Sequence, residues 1–461
     1  MREPLDTDVA IVGAGVVGCA IARELTRFEL RVTLLEAGPD VGAGTSKANT
    51  ALLHTGFDAK PGTLEARLVA RGYELLGEYA ERVGIPVERT GALLVAWNED
   101  QLAEFPAIRD HARANGSGEL RELDLEELYR REPHLAPGAR GAVEVAGEGL
   151  VCPFTTPLAY ATEAVLAGCH LRRSSPVTSV ARLEGGGFRL GTPGGELRSR
   201  YLVNAAGLRS DELDRMLGYD RFTVTPRRGE LIVFDKLARP LVNHIVLAVP
   251  TKITKGVLIA PTVFGNVMLG PTADDVESKD DTESTRRGLD YLRGEGARIM
   301  PELLEHEVTA VYAGLRAATE HVDYQLSVHA PDRYACVGGI RSTGLSASMG
   351  IAEHVREQLG AAGLPLEPTA GAPPEFHMPY IGELGARPYQ RGELIERDSD
   401  YGRIVCFCER VTSGEIRDAL IGPLPAVDLD GLRRRTRAHM GRCQGFFCAA
   451  ELAARLDRAG S

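Results

Sequence analysis

The sequence predicts a mixed α/β chain: a parallel-stranded dinucleotide-binding unit, a set of antiparallel strand-like runs, and a small thiol-rich domain at the C-terminus. Three observations predict this. Residues 9–36 read as strand, glycine-rich turn, helix and second strand. Short β-rich runs separated by turn residues recur through the middle of the chain. Four cysteines, Cys406-x-Cys408 and Cys443-x4-Cys448, close the sequence in two pairs.

A length of 461 residues suits about three domains of ordinary size. At 44% hydrophobic and 25% charged, the chain can bury a large core. Its net charge of −11 argues against nucleic acid and against an anionic membrane surface as partners. An anionic substrate must therefore meet a local cationic pocket. No run of 18 apolar residues occurs, and the acidic start lacks the basic n-region of a signal peptide. The expectation is a cytoplasmic protein with no direct membrane span, touching a membrane only through a partner.

Val9-Ala10-Ile11-Val12 is a short apolar, β-rich run, as in a buried parallel strand. Gly13-Ala14-Gly15-Val16-Val17-Gly18 follows at once, then helical spacing from Cys19 to Leu30, then a strand Arg31–Leu35 ending at Glu36. This is the Rossmann-like context in full: Gly-x-Gly-x-x-Gly between strand and helix, with an acid about 20 residues on. Gly13 and Gly15 let the backbone turn tightly and approach a pyrophosphate, which the helix N-terminus favours. Gly18 permits close helix–strand packing. Glu36 can accept hydrogen bonds from the adenosine ribose.

The motif alone does not separate FAD from NAD. FAD is favoured because a single complete fingerprint is present. Two other strands also end in small residues suited to close cofactor contact. These are Val203-Asn204-Ala205-Ala206-Gly207 and Tyr334-Ala335-Cys336-Val337-Gly338-Gly339, the latter followed by a helix from about Ser346 to Leu359.

Cys406, Cys408, Cys443 and Cys448 carry the second signal. Four thiolates at such spacing hold an iron–sulfur cluster. Gly441 and Gly445 bracket Cys443, so backbone amides can point at sulfur. A structural zinc would also take four thiolates, but Cys-x-Cys is unusual for zinc, whose paired ligands lie two to four residues apart. Cys19, Cys152, Cys169 and Cys336 are scattered in apolar segments and read as buried small hydrophobes. Thr412-Ser413-Gly414-Glu415 offers a capping box before a helix from about Glu415 to Leu420.

The fingerprint, the Asn204-Ala205-Ala206-Gly207 strand end and the segment Gly338-Gly339-Ile340-Arg341-Ser342-Thr343-Gly344, in that order, resemble the D-amino-acid oxidase superfamily of FAD enzymes. The stretch Thr45–Asp58, with Thr45, Ser46 and Asn49, resembles the flavin loop of glycerol-3-phosphate oxidases and dehydrogenases and of L-2-hydroxyglutarate oxidases. Tyr401–Glu409 and Arg437–Cys448 resemble the bacterioferritin-associated-ferredoxin-like [2Fe–2S] extension of anaerobic glycerol-3-phosphate dehydrogenase large subunits. The resemblance implies a Rossmann-like FAD-binding domain (residues 1–80, 148–215 and 328–362) interleaved with an antiparallel-sheet substrate domain (81–147 and 216–327). A linker over 363–376 and a [2Fe–2S] domain over 377–461 would follow.

It also implies FAD and a [2Fe–2S] cluster as cofactors, with Gly339 and Gly344 near the flavin. His54 then becomes the candidate base, since histidine titrates near neutrality. Arg316, Arg341 and Lys255 are the candidate anchors for a small anionic substrate; Lys252, Arg67 and Arg228 are weaker ones. A guanidinium can grip phosphate or carboxylate with two bonds.

The leading expectation is a dehydrogenase that oxidises sn-glycerol 3-phosphate to dihydroxyacetone phosphate and passes electrons through the cluster to a protein subunit or quinone. A 2-hydroxy acid such as L-2-hydroxyglutarate, or a secondary amine, is the alternative substrate. A non-catalytic flavin/iron–sulfur electron-transfer subunit is the alternative class. Homo- and hetero-oligomers are both compatible with the chain.

Overall fold

The computed structural model describes residues 5–249 and 256–459. The candidates Lys252 and Lys255 lie outside them. The fingerprint forms strand β1 (Thr7–Val12), helix α1 (Val16–Leu25) and strand β2 (Val32–Leu35). β1 is parallel to β2 on one side and to the strand Gly195–Asn204 on the other, with Val9 opposite both Val32 and Tyr201. The strands His170–Arg172 and Tyr334–Gly338 extend this parallel layer. Antiparallel neighbours complete eight strands. Three of the eight form a meander: Ser179–Arg182, Phe188–Thr192 and Gly195–Asn204. The stretches Val9–Val12 of β1 and Val32–Leu35 of β2 are buried and apolar apart from Thr33, as the sequence pattern requires.

α1 is shorter than its helical spacing predicts. It ends at Leu25, and Thr26 Oγ1 bonds back to the Arg23 carbonyl. The next residues are claimed by another segment: Phe28 bridges to Pro368 and Glu29 N–H donates to the Glu367 carbonyl. The stretch expected as a linker is therefore tied to the first domain, with Leu364 buried in the core. Elsewhere the expected elements appear with shifted ends. The helix expected over 346–359 spans Gly344–Ala361, and another long helix spans Arg286–Ile299, capped by Thr285.

A second sheet of nine strands is mostly antiparallel. Its longest pair, Thr225–Phe234 and Val308–Ala318, runs back to back from Thr225↔Ala318 to Phe234↔Val308. The last strand leans on the residue 45–49 loop of the first domain: Thr45 Oγ1 donates to the Leu315 carbonyl at 2.9 Å, and Tyr312 OH to the Asn49 carbonyl at 2.8 Å.

The C-terminal region is a two-stranded ribbon with short helices around Val405, Val411, Ile416, Leu432 and Leu452. The capping box forms as the sequence predicts. Thr412 Oγ1 accepts from Glu415 N–H at 3.2 Å and Glu415 Oε2 accepts from Thr412 N–H at 2.9 Å. Such a cap contributes about 1 kcal/mol. The domain is clasped to the rest by charge pairs. Fully buried Asp40 accepts from Arg434 Nη2 at 2.6 Å and Arg435 Nη1 at 2.6 Å. Lys47 meets Asp430 at 2.9 Å, and Arg442 meets Asp235 at 2.6 Å.

Candidate functional site

A cavity of about 1350 Å³ opens between the two sheets and the C-terminal region. Gly13, Gly15 and Glu36 line it from the fingerprint, and Thr45, Ser46 and Asn49 from the following loop. Ala206 and Gly207 close another side, and Tyr312 to Leu315 come from the second sheet. Arg434, Arg437 and Gln444 come from the C-terminal region. Eight sequence-predicted cofactor residues thus share one space. Gly18, Gly339 and Gly344 do not line it. Gly18 serves packing instead, since a Cβ there would lie 1.8 Å from the Gly13 carbonyl oxygen.

The glycine turn is held in shape by side chains. Glu36 Oε2 accepts from Ala14 N–H and Oε1 from Gly38 N–H, each at 2.8 Å. Burial raises the Glu36 pKa against these bonds. Ser46 Oγ accepts from Val16 N–H at 2.8 Å, which ties the loop to the start of α1. Asn49 bonds both the Ser46 carbonyl and Ala51 N–H at 2.8 Å, fixing the turn in which Ala51 takes φ 57°. The volume exceeds an ordinary small-ligand pocket and has room for a dinucleotide.

The four C-terminal thiols meet as two pairs, Cys408 with Cys443 and Cys406 with Cys448. Backbone N–H groups aim at the sulfurs. That of Phe447 foremost, with those of Gly445 and Phe446, lowers the Cys443 pKa. His439 N–H points at Cys448, and Cys443 N–H at Cys408. Gly441 lets the two loops touch, because a Cβ there would sit 2.4 Å from Cys408 Cβ. Among the described residues no three His, Cys, Asp or Glu side chains close on a single-ion site. Paired thiolates ringed by N–H donors fit a two-iron cluster.

Comparison with known proteins accords with this geometry. Residues 8–358 match the family described as FAD dependent oxidoreductase (DAO). The chain belongs to that family. Residues 404–458 match the BFD-like [2Fe-2S] binding domain. The protein's cofactors are therefore FAD and a [2Fe–2S] cluster. A glycerol 3-phosphate dehydrogenase of Caloramator mitchellensis is 34% identical over 98% of this chain and 94% of its own length. A component of the anaerobic glycerol-3-phosphate dehydrogenase of Escherichia coli is 28% identical over 99% of this chain and 89% of its own. Among solved structures, FAD-bound L-alpha-glycerophosphate oxidase from Mycoplasma pneumoniae superposes with a TM-score of 0.77 at 28% identity. It covers 81% of this chain and 99% of that one.

The candidate catalytic residues sit beside the cavity rather than on its wall. His54 is buried, three residues beyond the lining Ala51. Its Nδ1 lies 2.9 Å from Glu148 Oε1 and its Nε2 3.0 Å from Asp58 Oδ1. Arg316 follows the lining Leu315. Its Nη1 donates to the Thr272 carbonyl at 3.2 Å. Burial first, and then the Arg227 charge, push its pKa down to about 10. No carboxylate among the described residues pairs with it, whereas Arg228 is paired to Asp281 at 2.9 Å. Arg341 takes φ 44°, and its Nη2 donates to the His321 carbonyl.

Sequence reasoning missed Arg434, Arg437, Gln444, Phe264 and Asn266 as cavity residues. The run Arg433-Arg434-Arg435-Thr436-Arg437 was the available signal, but a basic helix normally reads as a solvated face.

Proposed function

We propose that the protein is a dehydrogenase oxidising sn-glycerol 3-phosphate to dihydroxyacetone phosphate, with electrons leaving through the iron–sulfur domain to an acceptor protein. One observation carries this reading. The 34% identity to a glycerol 3-phosphate dehydrogenase spans 98% of this chain, flavin and cluster domains together. An oxidase that hands electrons to oxygen has no need of the second domain.

When bound, FAD supplies the hydride acceptor and the cluster the one-electron relay. Within the chain, Arg316 is the proposed anchor for the substrate phosphate. An uncompensated, desolvated guanidinium gains most from an incoming dianion. Arg341 is a second anchor, one strand bridge away through Ala317. His54 is the proposed base at Nε2. Glu148 fixes its Nδ1–H, and Asp58 must withdraw from Nε2 before that nitrogen can accept the hydroxyl proton.

The exit supports a protein acceptor. Phe407, Phe446 and Phe447 are 67%, 84% and 69% exposed, and all three sit between or beside cluster cysteines. No other phenylalanine is so exposed among the described residues. An apolar rim around a redox centre fits a transient protein contact.

An anaerobic substrate screen tests the reading. Glycerol 3-phosphate should bleach the flavin within seconds. Bleaching by L-2-hydroxyglutarate or a secondary amine, and not by glycerol 3-phosphate, would reassign the substrate. Bleaching by none would leave the chain an electron-transfer component without turnover of its own.

A further inference from the structure

We infer that Arg434, carried by the iron–sulfur domain, binds the pyrophosphate of FAD, so that flavin retention depends on that domain. The inference rests on FAD binding by the family and not on the choice of substrate.

Arg434 lies in the helix Leu429–Thr436 and is 3% exposed, yet it lines the cavity. Its Nη2 donates to Asp40, but Nε and Nη1 have no hydrogen-bond partner. Among the described residues it is the arginine with two such buried nitrogens. Buried N–H groups of a cation are costly to leave unmade, which points to a missing acceptor.

Its position says which acceptor. Asp430 lies 3.6 Å from Arg434 Nη1 and pairs with Lys47 at 2.9 Å. Lys47 adjoins Ser46, whose Oγ holds Val16 N–H at the start of α1. Arg434 thus lines the same cavity as Gly13, Gly15 and Ser46, the side on which a dinucleotide pyrophosphate is received. The local charge is also uneven. Asp40 is surrounded by Arg434, Arg435 and, at 3.9 Å, Arg173. With Asp430 and its partners Lys47 and Arg433 included, two carboxylates stand against five cationic side chains, which leaves room for an anion.

A phosphate could come from the cofactor or from the substrate, and titration separates them. The full-length protein is stripped of FAD and titrated back, following quenching of flavin fluorescence. Arg434→Gln should raise the FAD dissociation constant by at least about tenfold, the range for a charge-assisted bond. Cluster absorbance and the KM for glycerol 3-phosphate at saturating FAD should stay within twofold of wild type. Arg434→Lys keeps the Asp40 ion pair, and with it the fold, while removing the second donor; FAD should bind at least threefold more weakly. FAD affinity within twofold of wild type in Arg434→Lys overturns the assignment. So does unchanged FAD affinity with a raised KM in Arg434→Gln, which would make the phosphate the substrate's.

Discussion

The Arg437 guanidinium lies 4.1 Å over the Phe264 ring, and both residues face the flavin cavity. Arg437 also reaches Glu409 at 3.3 Å, next to Cys408, and Asn266 at 3.3 Å. One side chain thus joins the cluster loop to the cavity wall. Arg437→Ala should leave Glu409 buried with only Lys236, at 3.2 Å, as counter-charge. Removing one partner of a buried pair costs about 3 kcal/mol. The expected result is a lower melting temperature and slower cluster reduction, with flavin bleaching by substrate unchanged.

Cys448 is 1% exposed and pairs with Cys406. Cys448→Ser should abolish the visible absorption of the cluster while the flavin spectrum remains. Substrate should still bleach the flavin, and one-electron acceptor dyes should be reduced at least about tenfold more slowly. Wild-type dye reduction without a cluster would place the exit elsewhere.

The clasp between the domains should be acid-sensitive in a defined direction. Burial raises the pKa of Asp40, Asp235 and Asp430, but it is outweighed by Arg435 and Arg434 at Asp40, by the Leu237 N–H and then Arg442 at Asp235, and by Lys47 at Asp430, so all three lie below the ordinary carboxylate value. A depressed folded-state pKa stabilises above the unfolded value and is lost as pH falls through the folded one. Hydrogen exchange over residues 429–436 should therefore be flat from pH 7 to about 4, after correction for the intrinsic rate, and rise below it. Asp40→Asn should raise exchange there already at pH 7.

Arg316→Gln should remove the proposed phosphate anchor. KM for glycerol 3-phosphate is expected to rise on the order of tenfold to a hundredfold, the range for a charged hydrogen bond. Inorganic phosphate should stabilise the wild type against heat and leave the variant unmoved. An unchanged KM would turn attention to Arg341.

Replacing Phe446 and Phe447 with serine should spare flavin bleaching, cluster absorbance and dye reduction. Transfer to the physiological protein acceptor should fall, because exposed aromatic contacts carry much of such an interface.

Much of this was legible in the sequence because local rules dictate it. Gly13, Gly15 and Glu36 declare a nucleotide site through spacing alone, and Thr412 with Glu415 declares a helix start. The paired cysteines declare a cluster through chemistry and the glycines around them. Illegible were features set by distant segments. α1 stops at Leu25 because residues 367–369 take over the backbone bonds of residues 27–29. Arg434 and Arg437 turn inward because Asp40 and Phe264, far off in the chain, receive them. The Asp58 contact of His54 is a side-chain arrangement that spacing does not encode.

The most direct test is anaerobic stopped-flow mixing of the holoprotein with glycerol 3-phosphate, recorded across the flavin and cluster absorption bands. The account predicts flavin bleaching first, then partial bleaching of the cluster as single electrons pass to it, with one equivalent of dihydroxyacetone phosphate formed. A cluster that stays oxidised while the reduced flavin is discharged only by oxygen would contradict it.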